Sequence, residues 1–201
     1  MSKQIVLASG NAGKVREINN LLGGYGIEVI PQTEFDVPEA IEDGLSFVEN
    51  AIIKARNAAQ HSGLPAIADD SGIEVDALHH APGIYSARYA GEGANDQKNN
   101  EKMLAELADV ADEKRSARYQ CVMVYMRDAD DPNPLISQGS FEGRILTAPR
   151  GEGGFGYDPL FWLEDRQCSA AELSLEEKNK ISHRAIALHA LVEQLKKAGV
   201  I

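Results

Sequence analysis

The chain has 201 residues, 43% hydrophobic and 25% charged, with a formal net charge of −11. That is room for one large domain or a two-lobed one with a proper core, and the acidic balance argues against non-specific binding to nucleic acid or an anionic membrane, though not against a locally basic pocket for a small phosphorylated ligand. No apolar run approaches the roughly 18 residues of a membrane span, residues 1–10 lack the signal-peptide pattern, and Cys121 and Cys168 form no metal-ligand pair, so a reduced, cytoplasmic protein is expected.

Residues 3–9 ("KQIVLAS") read as a buried strand and residues 15–22 as an amphipathic helix stopped by Gly23 and Gly24. A second strand is expected over 27–30. Ser46 and Glu49, three apart, mark the start of a long helix that Gly63 closes. Residues 64–68 form a short strand ending at Asp69 and Asp70. A helix follows over 96–107, and residues 117–126 alternate as a long strand. "DADDPNP" is a turn, and 135–147 reads as two strands broken between Gly139 and Gly143. A glycine-rich loop over 151–156 precedes a strand over 160–163. Ser174 and Glu177 open a helical C-terminus with an apolar stripe of Ile186, Leu188, Leu191, Val192 and Leu195. Strands alternate with helices early, but 117–147 is strand after strand, which predicts a mixed α/β sheet. No long linker divides residues 1–201, so a single domain is expected.

Four stretches carry chemistry. "SGNAGK" lies between a strand and a helix, where glycines admit a phosphate to backbone N–H groups and Lys14 adds a full charge. It falls short of a Walker A loop, since Val15 stands where a magnesium-binding hydroxyl would be; a plain strand-to-helix turn is the other reading. Asp69 and Asp70 are either a capped turn or, with Glu42 from "AIEDGLSF", oxygen ligands for magnesium. Lys54 is either a solvated helical lysine or a second phosphate ligand. "GEGGFGYDP" holds four glycines around Phe155 and Tyr157, which either offer a face to a flat base or pack inward from a hairpin. In "EEKNKISHRA", Lys178, His183 and Arg184 gather near one helix start, where cations are poorly placed for the helix dipole. They make either a surface basic patch or a recognition cluster for an anion or carbonyl. The other histidines lack zinc spacing.

In order, "SGNAGKVRE", "GLSFVENAIIKA", "AIADDSG", "APGIYSARY", "GGFGYDP" and "ISHRAIAL" resemble the inosine triphosphate pyrophosphatase family over residues 5–195. The resemblance implies a long mixed central sheet flanked by helices, two lobes with an active-site cleft between them, and a homodimer. It also implies magnesium (Mg2+) and cleavage of ITP, dITP or XTP to nucleoside monophosphate and pyrophosphate. Ser9, Gly10, Asn11, Ala12, Gly13 and Lys14 would bind the triphosphate with Lys54. Glu42 and Asp70 would hold the metal, with Asp69 a further candidate, and Asp70 would be the general base. Ser71 would contact substrate, and Phe155, Gly156, Tyr157, Asp158, Lys178, His183 and Arg184 would bind the nucleotide and read its base.

Overall fold

The computed structural model describes residues 3–201. Seven strands form one mixed sheet in the order β2-β1-β3-β4-β5-β6-β7: β1 (Lys3–Leu7), β2 (Ile27–Pro31), β3 (Ala66–Val75), β4 (Ser116–Met126), β5 (Leu135–Ile145), β6 (Phe161–Leu163) and β7 (Cys168–Ser169). The helices are α1 (Ala12–Leu22), α2 (Phe47–Ser62), α3 (Asp96–Glu106), α4 (Leu175–Ile181) and α5 (His183–Lys197). β1 pairs parallel with both β2 and β3, whereas β5, β6 and β7 pair antiparallel. The chain divides into two compact units: residues 1–70, 121–138 and 187–201, and residues 71–120 and 139–186.

In the first unit the period-two alternation of the strands sorts side chains into two cores. Ile5, Leu7, Ile67, Cys121, Met123 and Tyr125 join Ile18 and Leu22 of α1 and Leu188, Leu191 and Leu195 of α5. Their chain neighbours Val6, Ala8, Ala66, Ala68, Val122 and Val124 meet Ala51, Ala55, Ala58 and Ala59 of α2. Small alanines along α2 let that helix lie close to the sheet. The β1-α1-β2-α2-β3 path puts successive helices on opposite faces, so the chain reverses direction across the sheet at β1. Such a reversal opens a crevice beyond the carboxyl ends of the strands.

The second unit is organised around Phe161, which is fully buried and clusters with Ile73, Val75, Met103, Leu107, Tyr119 and Leu160. Its ring is tilted against Tyr119 at 4.7 Å and Phe141 at 5.6 Å between centroids. Phe161→Ala would lose that contact and leave a cavity, so it is expected to cost about 3–5 kcal/mol of unfolding free energy, read as a lower denaturation midpoint.

Several expected boundaries shift. α1 begins at Ala12 rather than residue 15 because Asn11 caps it, its Oδ1 accepting from the Gly13 and Lys14 amides at 2.8 and 3.2 Å. β3 does not stop at the acidic pair: Ile73 and Val75 keep the alternation going, so Asp69 and Asp70 sit mid-strand. β5 is one strand, not two. A Cβ on Gly143 would strike the Trp162 carbonyl oxygen at 2.5 Å and the Phe161 ring at 2.6 Å, so that glycine admits a close neighbour rather than breaking the strand. The helical C-terminus is two helices, divided where Ser182 adopts an extended ψ of 159°. The short edge strand β7 has no period to reveal it.

Candidate active site

The expected residues fall into two clusters, one in each unit. The first grows from the end of β1. The parallel register Leu7↔Ile67 carries the loop after β1 alongside Asp69 and Asp70. Strand alternation then sends these adjacent carboxylates to opposite faces. Asp69 shares a face with Ile67 and meets α1, where Lys14 Nζ donates to both of its oxygens at 2.8 and 2.9 Å. Asp70 shares a face with Ala68 and meets α2, where Lys54 Nζ donates to Asp70 Oδ1 at 2.7 Å.

Glu42 reaches the same ammonium, its Oε2 3.2 Å from Lys54 Nζ. Its loop is tied to the start of α2: the Gly44 amide donates to Asn50 Oδ1 and the Leu45 amide to Glu49 Oε2, each at 2.9 Å. A Cβ at Gly44 would lie 2.7 Å from Asn50 Oδ1, so glycine is needed for that approach. Asn50 itself is only 1% exposed. Sequence reasoning passed over it because an asparagine inside an amphipathic helix carries no motif.

The electrostatics of this cluster are tense. Burial pushes the Asp70 carboxyl above the ordinary carboxylate value and Lys54 opposes that rise, while Glu42 and Asp69 add to it. Burial works against the Lys54 ammonium, but Asp70 foremost, then Asp69 and Glu42, outweigh it and hold its pKa above the usual lysine value. Three carboxylates face two lysines, leaving negative charge in surplus. Two hard-oxygen groups already converge on one cationic atom, a donor set that suits magnesium, which takes one or two carboxylates and fills its remaining positions with water and phosphate oxygens. Asp69 is turned to Lys14 instead. Among the described residues, no three His, Cys, Asp or Glu side chains are grouped to enclose a metal ion.

The second cluster is built around Asp158, 1% exposed. Its Oδ2 accepts from the Phe155 amide at 2.8 Å and pairs with Lys178 Nζ, and Tyr119 Oη donates to its Oδ1 at 3.2 Å. The loop needs its glycines. Gly154 has φ +76°, and a Cβ there would collide with the Asp158 carboxylate. Gly156, at φ +62°, is clamped from α3: its amide donates to Asp96 Oδ2 at 2.7 Å and its carbonyl accepts from Asn100 Nδ2 at 2.9 Å.

The two aromatics part company. Tyr157 is 4% exposed and its hydroxyl donates to the Ser86 carbonyl at 2.7 Å, whereas Phe155 is 60% exposed. The expected open face therefore belongs to Phe155 alone, with Lys178 Nζ 4.4 Å from its centroid. These three side chains are not a surface patch at one helix start. Lys178 sits on α4 and is held by Asp158, while His183 and Arg184 open α5. His183 is buried and its ring stacks on Tyr119 at 4.8 Å with 10° between planes. Ser71 is half-buried on β3. A cavity of about 450 Å³ in the second unit, lined by Phe141, Arg144 and Trp162 among others, contains none of these residues.

No helix of the described residues is long and apolar enough to cross a membrane. Met1 and Ser2, the start of the stretch read as lacking a leader, lie outside the described residues.

Comparison with known proteins places this arrangement in context. The profile of the Ham1 family matches residues 5–194. The dITP/XTP pyrophosphatase of Thioalkalivibrio sulfidiphilus is 62% identical over 192 residues, covering 96% of this chain and 98% of that protein. The dITP/XTP pyrophosphatase of Vibrio cholerae is 58% identical over 193 residues and 96% of each chain. The structure of a HAM1 protein from Coxiella burnetii superposes with a TM-score of 0.93 at 51% identity, covering 97% of this chain and 99% of that one.

Proposed function

This chain belongs to the Ham1 family, and we propose that it hydrolyses non-standard purine nucleoside triphosphates such as ITP, dITP and XTP to the nucleoside monophosphate and pyrophosphate. The observation that carries the reading is the convergence of Glu42 and Asp70 on Lys54 beside the loop that follows β1. The names of the relatives, dITP/XTP pyrophosphatases, support the substrate class.

Each residue's part follows from its chemistry. Lys14 and Lys54 meet phosphate oxygens, and the first turn of α1 adds its favourable partial charge. Asp69 holds Lys14 in place. Asp70 orients the attacking water toward the α-phosphorus and accepts its proton, a task suited to a carboxylate whose pKa burial has raised. Glu42 and Asp70 would hold magnesium, which when bound supplies charge to offset that on the phosphoryl oxygens. Ser71, next in the chain to Asp70, contacts substrate. In the second unit Phe155 offers its ring to the base, while Lys178, His183 and Arg184 supply donors.

The resemblance stated from the sequence supports magnesium as the ion and a homodimer as the working form. Two cysteines that are not joined in a disulfide suit a reducing, cytoplasmic setting, and the net charge of −11 suits a nucleotide rather than a nucleic-acid partner. We take residues 1–201 as one functional domain.

Three experiments test the reading. Stripping divalent ions with a chelator should abolish ITP hydrolysis and added magnesium should restore it. Glu42→Gln should raise the magnesium concentration for half-maximal rate about tenfold or more; a titration curve superimposable on wild type would remove Glu42 from the metal site. Lys14→Ala should weaken kcat/KM more than kcat, because it removes charge from both ground-state binding and the transition state. An unchanged kcat/KM would reduce residues 9–14 to a turn.

A further inference from the structure

Tyr119 lies on β4 at a position that reads in sequence as one more alternating core residue. It is 8% exposed, with Phe161 tilted against one part of its ring. Two further contacts set it apart. Its ring lies nearly parallel to the His183 imidazole, 10° between planes and 4.8 Å between centroids. Its hydroxyl donates to Asp158 Oδ1 at 3.2 Å, and the other oxygen of that carboxylate anchors the Phe155 amide and Lys178.

A phenylalanine would fill the same core volume without the cost of burying a hydroxyl, a cost that only a hydrogen bond offsets. Here the bond goes to the carboxylate on which the whole cluster depends. One side chain thus touches His183 by its face and, through Asp158, governs where Lys178 and Phe155 stand. Stacked aromatic pairs fix relative orientation at modest energy, so the stack constrains the plane of the imidazole as well as its place.

We infer that Tyr119 is a positioning residue for base selection, its ring setting the imidazole of His183 and its hydroxyl setting Asp158, Lys178 and Phe155. This rests on the assignment of those residues to base recognition. Tyr119 does not touch the nucleotide; it makes the donors and the Phe155 ring stand in one arrangement.

Steady-state kinetics on ITP and ATP test this with Tyr119→Phe, which keeps the ring and removes the hydroxyl, and Tyr119→Leu, which also removes the stack. His183→Ala, Lys178→Ala and Phe155→Ala report on the base assignment itself. Tyr119→Phe should lower kcat/KM for ITP about tenfold, carried mainly by KM, and narrow the ITP/ATP ratio by a similar factor. Tyr119→Leu should narrow that ratio further. If Tyr119→Leu does not fold, the isosteric Tyr119→Phe decides alone. A wild-type KM and ratio in Tyr119→Phe, with the ratio altered in any of the three alanine variants, would overturn the positioning role and leave the base assignment standing. A loss confined to kcat in Tyr119→Phe would likewise overturn it. An unmoved ratio in all three alanine variants would overturn the base assignment and this inference with it.

Discussion

Replacing Asp70 with asparagine is expected to lower turnover on ITP by about 10²–10⁴-fold, the usual worth of a positioned general base, with any loss of metal affinity adding to it. The substitution keeps the shape of the side chain and an oxygen facing Lys54, while removing the charge that can accept a proton. Stability should change little. Asp70 is a carboxyl whose ionisation burial opposes, so above its raised folded pKa its charge works against the fold, and neutralising it removes that penalty. Lys54 loses one anion but keeps Glu42 at 3.2 Å. A melting temperature within a few degrees of wild type, together with a thousandfold slower rate at saturating magnesium, is the expected pair. A rate near wild type would take Asp70 out of the chemistry.

The second large effect concerns the choice of base. Hypoxanthine and xanthine present a carbonyl at C6, where adenine presents an amino group. A cationic donor can bond the carbonyl, but opposite an amino group it faces another donor. Leaving a buried donor unmatched costs about 1–3 kcal/mol, more when charged, and polar mismatch of this kind supports discrimination of roughly 10⁴-fold. Arg184 and His183 open α5 side by side, Arg184 half-buried and His183 buried. Arg184→Ala is therefore expected to reduce kcat/KM for ITP at least about tenfold while changing that for ATP much less. Comparing the two substrates on one preparation gives the ratio. If Arg184→Ala and His183→Ala both leave it at the wild-type value, the reading of C6 passes to Lys178 and the loop around Phe155 and Asp158.

Much of this was open to inspection in the sequence because it rests on local rules. The alternation in "QIVLA" and "QCVMVYM" sorts into the two cores of the first unit, and the Ser174 capping box forms as read. The acidic pair was misplaced for a physical reason. Asp-Asp-Ser-Gly has the composition of a turn, and what keeps it extended is tertiary: a lysine from α1 on one side and a lysine from α2 on the other. Gly143 misled similarly, because a glycine in a strand marks either a break or a close neighbour, and only the packed Phe161 ring tells which. At the second cluster, composition picked out Lys178, His183 and Arg184, but not that Asp158 holds Lys178 or that Tyr119 supports His183. Those contacts join residues far apart in sequence, Lys178 being 20 positions from Asp158 and His183 further still from Tyr119. No local pattern records them.

The same division explains why the two clusters differ in how they are built. The first depends on which face each strand residue takes, a geometric consequence of the pleat. The second depends on a loop whose backbone needs positive φ at Gly154 and Gly156 and on one buried carboxylate that ties it down. Substitutions in the first cluster should act on phosphate and metal binding and on rate, and those in the second on selectivity.

Hydrolysis at the α-phosphorus is decided by turning ITP over with magnesium in ¹⁸O-labelled water. Inosine monophosphate and pyrophosphate, with the label in the monophosphate, are the predicted products. Inosine diphosphate with labelled orthophosphate, label in the pyrophosphate, or no product at all would contradict it.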